Sequence, residues 1–140
     1  HKLLHDRTVF DNVALPLIIA GLRRKEVGKR ARAALDQVGL LDRESSRPLA
    51  LSTGEQQRVG IARAVVAKPP LVIADEPTGN LDPDLSVEIM DLFCRFNEVG
   101  TTVLIASHDL ALIERLGRRR IELSGGRLAA DTDGPAPGHA

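Results

Sequence analysis

The sequence predicts an α/β fold carrying a parallel sheet. Two short apolar runs, residues 71–74 and 101–106, flank a segment with helical spacing. Each run passes directly into polar chemistry, Asp75-Glu76 in one case and Ser107-His108-Asp109 in the other. The connections are short. Strand, helix and strand joined in this way are the pattern of a parallel sheet with crossover helices, whose functional groups gather at the carboxyl ends of the strands.

The elements follow in order. Residues 1–21 read as a loop and then an apolar segment, 12–20, whose periodicity fits helix and strand equally. Residues 21–28, with Arg23, Arg24, Lys25 and Glu26, read as a polar connector. Val27, Ala31, Ala34, Leu35 and Val38 recur at helical spacing, and Gly39 supplies a stop. Residues 40–50 form a loop containing Ser45, Ser46 and Pro48. Ser52 with Glu55 three residues on is a capping box, so a helix starts there and runs to about residue 67, before Pro69-Pro70.

Beyond the first strand, 77–83 is rich in turn residues. Val87, Met90, Phe93 and Phe96 mark a helix closed by Gly100. The β-branched run 101–106 is the second strand, and 110–116 is a short helix. Ser124-Gly125-Gly126 between 120–123 and 127–130 is a hairpin signal. The remainder, 131–140, is rich in Gly, Pro and Ala and reads as a disordered tail. The expected organisation is one domain over 1–130, mainly helical over about 1–67 and α/β over about 71–130.

Composition narrows the function. The 140 residues suffice for one core, with 43% hydrophobic residues. Three Phe and no Trp or Tyr leave no platform for stacking bases. Lys plus Arg and Asp plus Glu are 19 each, so no global field draws the chain to nucleic acid or lipid. The lone Cys94 cannot form an internal disulfide and fits a reducing compartment. The longest apolar run contains Pro16 and is too short to span a bilayer. The start at His1 rather than Met leads us to expect further sequence upstream.

Two motifs carry chemistry together. Asp75 and Glu76 end an apolar strand, where one carboxylate can support magnesium and its waters. The other can take a proton from an attacking water, an effect of about 10²–10⁴-fold in rate. A solvated acidic turn would also fit these two residues. Leu51-Ser52-Thr53-Gly54-Glu55 opens a helix whose free amides and dipole suit a phosphate, though an ordinary capped helix has the same residues. His108 can bond a phosphate oxygen or a water, or simply bond locally. Gly79-Asn80-Leu81-Asp82 is at least a turn. His1, His5 and Asp6 match no closed zinc pattern and read as surface residues. The basic cluster Arg23, Arg24, Lys25, Lys29, Arg30 and Arg32 reads as a solvated helix face, with contact to a membrane partner or anionic lipid as the sharper alternative. Arg118-Arg119-Arg120 reads the same way.

In this order and spacing the motifs resemble the ATP-binding subunits of ABC transporters. Leu51 to Glu55 is similar to the signature motif, residues 71–76 to the Walker B strand with its catalytic glutamate, Gly79 to Asp82 to the D-loop, and His108 to the switch histidine. The string Ala74-Asp75-Glu76-Pro77-Thr78-Gly79-Asn80-Leu81-Asp82 resembles the branch serving lipoprotein release, macrolide export and cell division. Further segments, among them Pro16-Leu17-Ile18-Ile19-Ala20-Gly21 and Phe96-Asn97-Glu98-Val99-Gly100, look most like the bacterial cell-division ATP-binding proteins.

The resemblance implies the C-terminal part of a P-loop nucleotide-binding domain, comprising the helical subdomain and the Walker B and H-loop part of the sheet. It implies ATP and Mg2+ as cofactors, with Glu76 and His108 catalytic and Asp75 on the metal. It implies Ser52, Thr53, Gly54, Glu55 and Asp82 at the nucleotide. It also implies a head-to-tail dimer, in which Ser52 and Gly54 reach the partner's ATP, and an integral membrane partner, FtsX-like in the cell-division branch. The expected location is the cytoplasmic face of the inner membrane, as a peripheral subunit.

Two departures stand out. Thr53 occupies a position that is usually Gly in the family, and a β-branched residue there would weaken the phosphate contact if the backbone needs positive φ. No Gly-x-x-x-x-Gly-Lys-Ser/Thr loop occurs in the sequence. The P-loop supplies most of the phosphate cradle, so this chain alone is expected to be inactive. Three other readings compete. A lipoprotein-release or macrolide-export ATPase would share the catalytic residues. A chromosome-maintenance ATPase lobe would need long heptads, which are absent. A non-catalytic interaction fragment would have no need of Glu76 and His108.

Overall fold

The computed structural model describes residues 2–132. The chain folds as two compact units, His1–Ile105 and Ala106–Ala140. The elements in order are α1 (Val9–Ile19), α2 (Arg24–Gln37), single 3-10 turns at Leu41–Arg43 and Pro48–Ala50, α3 (Thr53–Val65), β1 (Leu71–Asp75), α4 (Pro83–Glu98), β2 (Thr102–Ala106), α5 (Leu110–Leu116), β3 (Arg120–Ser124) and β4 (Arg127–Thr132).

In the first unit the undecided apolar segment is helix α1. Thr8 and Asp11 close a reciprocal cap: the Asp11 amide donates to Thr8 Oγ1 at 3.0 Å and the Thr8 amide to Asp11 Oδ2 at 3.4 Å. Val9, Val13 and Leu17, spaced by four, are fully buried. Asn12 is buried among them and satisfied. Its Oδ1 accepts from the Leu4 amide, and its Nδ2 donates to the carbonyls of Leu4 and Thr8, all within 3.0 Å. That set of bonds pins the N-terminal loop onto the helix.

α1 ends in a Schellman turn. The Leu22 amide donates to Leu17 O at 3.2 Å and the Gly21 amide to Ile18 O at 3.0 Å, with Gly21 at φ +77°. Because this corner is so tight, α2 already starts at Arg24. The stretch expected to be a connector over 21–28 is therefore mostly helix, as the high helix propensity of Arg, Lys and Glu allows. α1, α2 and α3 pack on one another and bury Ala31, Leu35, Val59 and Ala62, and Ile89 and Met90 of α4 are buried as well.

α3 stops at Val65, two residues short of the expected end, and Lys68 turns at φ +52° ahead of Pro69. The residue before a proline is forced out of helical geometry. β1 and β2 are sheet neighbours. The Thr102 amide donates to Pro70 O at 2.9 Å, so the two strand starts lie side by side, as in a parallel pair crossed over by α4. Thr101 itself belongs to the turn before the strand, its amide bonding Phe96 O at 3.1 Å.

In the second unit β3 and β4 form an antiparallel hairpin that turns on Gly125 (φ +56°) and Gly126 (φ +74°), the geometry of a type I′ turn. β4 runs through Asp131 and Thr132, two residues into the stretch read as tail; 133–140 lie outside the described residues. The Arg119 guanidinium holds Asp131 through bonds of 3.0 and 2.7 Å, and these hold the Asp131 carboxyl below the usual carboxylate range. Among the described residues no helix is long and apolar enough to cross a membrane.

Candidate nucleotide site

The start of α3 is built by the expected capping box. The Glu55 amide donates to Ser52 Oγ at 3.2 Å, and the Ser52 amide donates to Glu55 Oε2 at 2.8 Å. Glu55 Oε2 also lies 3.8 Å from the Arg43 guanidinium. Ser52 is exposed, and after accepting from Glu55 its hydroxyl still has a proton to donate. The amides that follow are those of a helix start, which have no intrahelical acceptor.

Thr53 is the first helical residue and has no positive φ. The strain expected of a β-branched residue there is absent, because helical geometry suits it. Gly54 is buried rather than open. A Cβ on it would meet Leu85 Cδ1 at 3.1 Å, so the missing side chain lets α4 approach α3.

The second motif sits at the end of β1. Asp75 is the last strand residue and is exposed; Glu76 follows, half-buried, at φ +46°. That left-handed conformation is uncommon for a residue with a side chain and carries strain of the kind found at functional sites. The loop is held from within. The Gly79 amide donates to Glu76 O at 3.0 Å and the Leu81 amide to Thr78 O at 3.2 Å, while Asn80 takes φ +65°. Asp82 closes it as the N-cap of α4, its Oδ1 accepting from the Leu85 amide at 3.0 Å with Pro83 in the first turn.

Gln57 joins the two motifs. Its Nε2 donates to Pro77 O at 2.8 Å, tying α3 to the loop beyond Glu76. An ion pair between Arg58 and Glu88 ties α3 to α4. Sequence reading missed Gln57. Its signal was a position one helical turn beyond the cap, on a helix start followed by a strand. The first unit contains Ser52, Thr53, Gly54, Glu55, Asp75, Glu76 and Asp82, and the Gln57 bond links the segments that carry them.

His108 belongs to the second unit, exposed, two residues past the end of β2. Its loop is set by the Asp109 amide donating to Ser107 Oγ at 3.1 Å and by Asp109 Oδ1 capping α5 through the Leu112 amide at 3.0 Å. No group of three His, Cys, Asp or Glu side chains among the described residues could hold a metal. His5 and Asp6 are exposed, as expected. A lone carboxylate such as Asp75 fits magnesium, which keeps its waters and shares ligands with phosphate. It does not fit a resident metal cage.

A capped helix start is thus linked by Gln57 to a strand end with two carboxylates, the second in a strained turn, within an α/β fold. The family model described as ABC transporter matches residues 1–79, and the chain belongs to that family. The cell division ATP-binding protein FtsE of Escherichia coli (strain K12) is 60% identical over 128 residues, covering 91% of this chain and 58% of that protein. The chain therefore spans little more than half the length of that relative. Among solved structures, cbiO1 from Clostridium perfringens, part of the ABC transporter complex cbiONQ, superposes with a TM-score of 0.86 at 30% identity, over 94% of this chain and 53% of that one. The dimeric ATP-binding cassette MJ0796, in a post-hydrolysis state bound to ADP and Pi, superposes with a TM-score of 0.79 at 36% identity, over 94% and 59%. The fold is that of an ABC nucleotide-binding domain.

Proposed function

We propose that this chain is part of the ATP-hydrolysing subunit of an ABC-type membrane complex acting in bacterial cell division. The observation that carries the proposal is the strained Glu76 directly after Asp75 at the end of β1, in a chain 60% identical to FtsE. In this reading Asp75 would be the residue that holds Mg2+. The ion, when bound with the nucleotide, screens phosphate charge. The Glu76 carboxylate takes the proton of the attacking water, and the φ +46° turn fixes where it points. His108 bonds the terminal phosphate. Ser52 donates its remaining hydroxyl proton to ATP held by a second copy, assisted by the amides of Thr53 and Gly54 and the helix dipole. Glu55 keeps the Ser52 backbone in place, and Asp82 sets the loop between the two motifs. A membrane partner of the FtsX kind would take up the motion at the cytoplasmic face of the inner membrane.

The chain has no phosphate-cradling loop, so alone it hydrolyses no ATP; its role on a partner's nucleotide survives. The test is to mix it with an intact FtsE subunit whose own signature serine is replaced by Arg. ATPase activity restored by this chain but not by its Ser52→Arg variant is expected. Activity unchanged by the chain, or restored equally by the variant, overturns the reading.

A further inference from the structure

The chain is neutral as a whole, but its basic charge is unevenly placed. Between residues 12 and 35 lie Arg23, Arg24, Lys25, Lys29, Arg30 and Arg32 against the single acid Glu26, six minus one, or +5. Glu26 is already engaged: Arg30 Nε bonds its Oε1 at 2.6 Å, and that bond holds the Glu26 carboxyl below the usual range, helped by Lys29 and by Lys68 from beyond α3. Arg32 is engaged with Glu44 and lies over Phe10. Arg23, Arg24, Lys25 and Lys29 are exposed and make no ion pair among the described residues. Together with Lys68, which like Lys29 acts on Glu26 at a distance, they form a patch of five cations without a salt-bridge partner among the described residues.

The same corner bears an apolar tip. Ile18 is 55% exposed and Ile19 76% exposed, five residues or fewer from Arg23. The Schellman turn at Gly21 fixes this tip against the start of α2. α2 cannot itself insert into a bilayer, because its apolar face (Val27, Ala31, Ala34 and Leu35) is buried against α1 and α3. What it offers is a basic outer face beside two protruding isoleucines.

We infer that the α1–α2 corner is a docking site for an anionic bilayer, with Ile18 and Ile19 entering the headgroup boundary and Arg23, Arg24, Lys25, Lys29 and Lys68 on the lipid phosphates. The charge complementarity favours lipid. Clusters of four to eight Lys or Arg beside an apolar element bind anionic membranes, each charge adding about fivefold to partitioning. Two exposed isoleucines each add about tenfold or more when buried. Long, unpaired side chains need no fixed acceptor, and a fluid headgroup layer supplies none. The inference stands on the corner alone and does not require the proposed ATPase role.

The test is co-sedimentation of the 140-residue chain with phosphatidylcholine vesicles, with and without phosphatidylglycerol, at low and high salt. Binding is expected only to the anionic vesicles and weakens with salt. Arg23→Glu/Arg24→Glu/Lys25→Glu should reduce it by about a hundredfold or more, and Ile18→Ser/Ile19→Ser by at least tenfold, with thermal melts showing both variants folded. A control reversal in the second unit, Arg127→Glu, should leave it unchanged. Equal binding to neutral vesicles, or retention by either corner variant, overturns the inference. So does binding that appears only on native membranes and disappears after those membranes are treated with protease, which would place a protein on the corner.

Discussion

The backbone at Glu76 permits a test that separates strain from chemistry. The perturbation is a pair of substitutions, Glu76→Ala and Glu76→Gly. Both remove the carboxylate and whatever it bonds, so their difference isolates the backbone. At φ +46° an ordinary L-residue is disfavoured by about 1–2 kcal/mol, and glycine is not. Glycine loses about 0.4–1 kcal/mol of that advantage through its freer unfolded chain. The glycine variant is therefore expected to be more stable than the alanine variant by roughly 0.5–1 kcal/mol. In an ordinary helix or strand the order is reversed by a similar amount. Urea unfolding reads the difference directly: with a slope of about 2 kcal/mol/M the midpoints separate by a few tenths molar. Neither variant should support ATP hydrolysis when placed in an intact subunit. An alanine variant as stable as the glycine one, or more so, would show that Glu76 is unstrained and would refute the argument that the turn aims its carboxylate.

Three further outcomes follow from the site and the hairpin. Gly54→Ala should lose about 1–2 kcal/mol through crowding of Leu85 at 3.1 Å, and less in a Leu85→Ala background; strictly additive urea midpoints would clear Leu85 as the obstacle. Ser52→Asp should keep the helix cap, and so the melting temperature, while Ser52→Ala loses about 1 kcal/mol; ATPase activity of the mixed dimer that survives Ser52→Asp would exclude a phosphate contact, since a carboxylate would repel it. The Asp131 carboxyl is lowered by Arg119, so its contribution to the hairpin is full above the unfolded pKa of about 3.9 and is lost as pH falls through the folded value. Amide exchange in β4 should accordingly rise below about pH 4 in the wild type but not in Arg119→Gln, and an identical pH profile in the two would dismiss the pair.

The parts of the fold that sequence reveals are those fixed by local chemistry. The Ser52–Glu55 box, the Gly125-Gly126 turn and the span Leu110–Leu116 all appear where their residues put them. The α1 segment was ambiguous because its apolar run has no clear period. The deciding signal, Thr8 with Asp11 three residues on, lies just upstream of the run. The connector over 21–28 was misjudged because charge suggests a loop, whereas Arg, Lys and Glu are good helix formers once Gly21 has turned the chain. At the site, residue types indicated Asp75 and Glu76, but not the left-handed turn, which no residue in Asp75-Glu76-Pro77 announces. The resemblance implies Gly54 at the nucleotide, yet its burial against Leu85 comes from α4, some thirty residues further on, and only tertiary structure reveals it.

Burial is unevenly distributed around the two motifs. The layer formed by α1, α2 and α3 is closed: Val9, Val13, Ala31, Leu35, Val59 and Ala62 have no exposed surface. The strand pair is open. Leu71 is 47% exposed, Ile73 68% and Leu104 52%, although parallel strands are normally covered on both faces. Ser52 therefore stands on a helix whose position is fixed by a finished core, and Gln57 and Arg58 of the same helix reach out to hold the Glu76 loop and α4. Asp75 and Glu76 stand at the end of the strand that carries the exposed Leu71 and Ile73. Positioning to a fraction of an ångström is needed for proton abstraction, whereas a hydroxyl and a helix dipole offered to a phosphate tolerate more. In the proposed reading, the Ser52 contact thus draws on the closed helical layer, and the chemistry at Glu76 on a strand end held by the Gln57 bond.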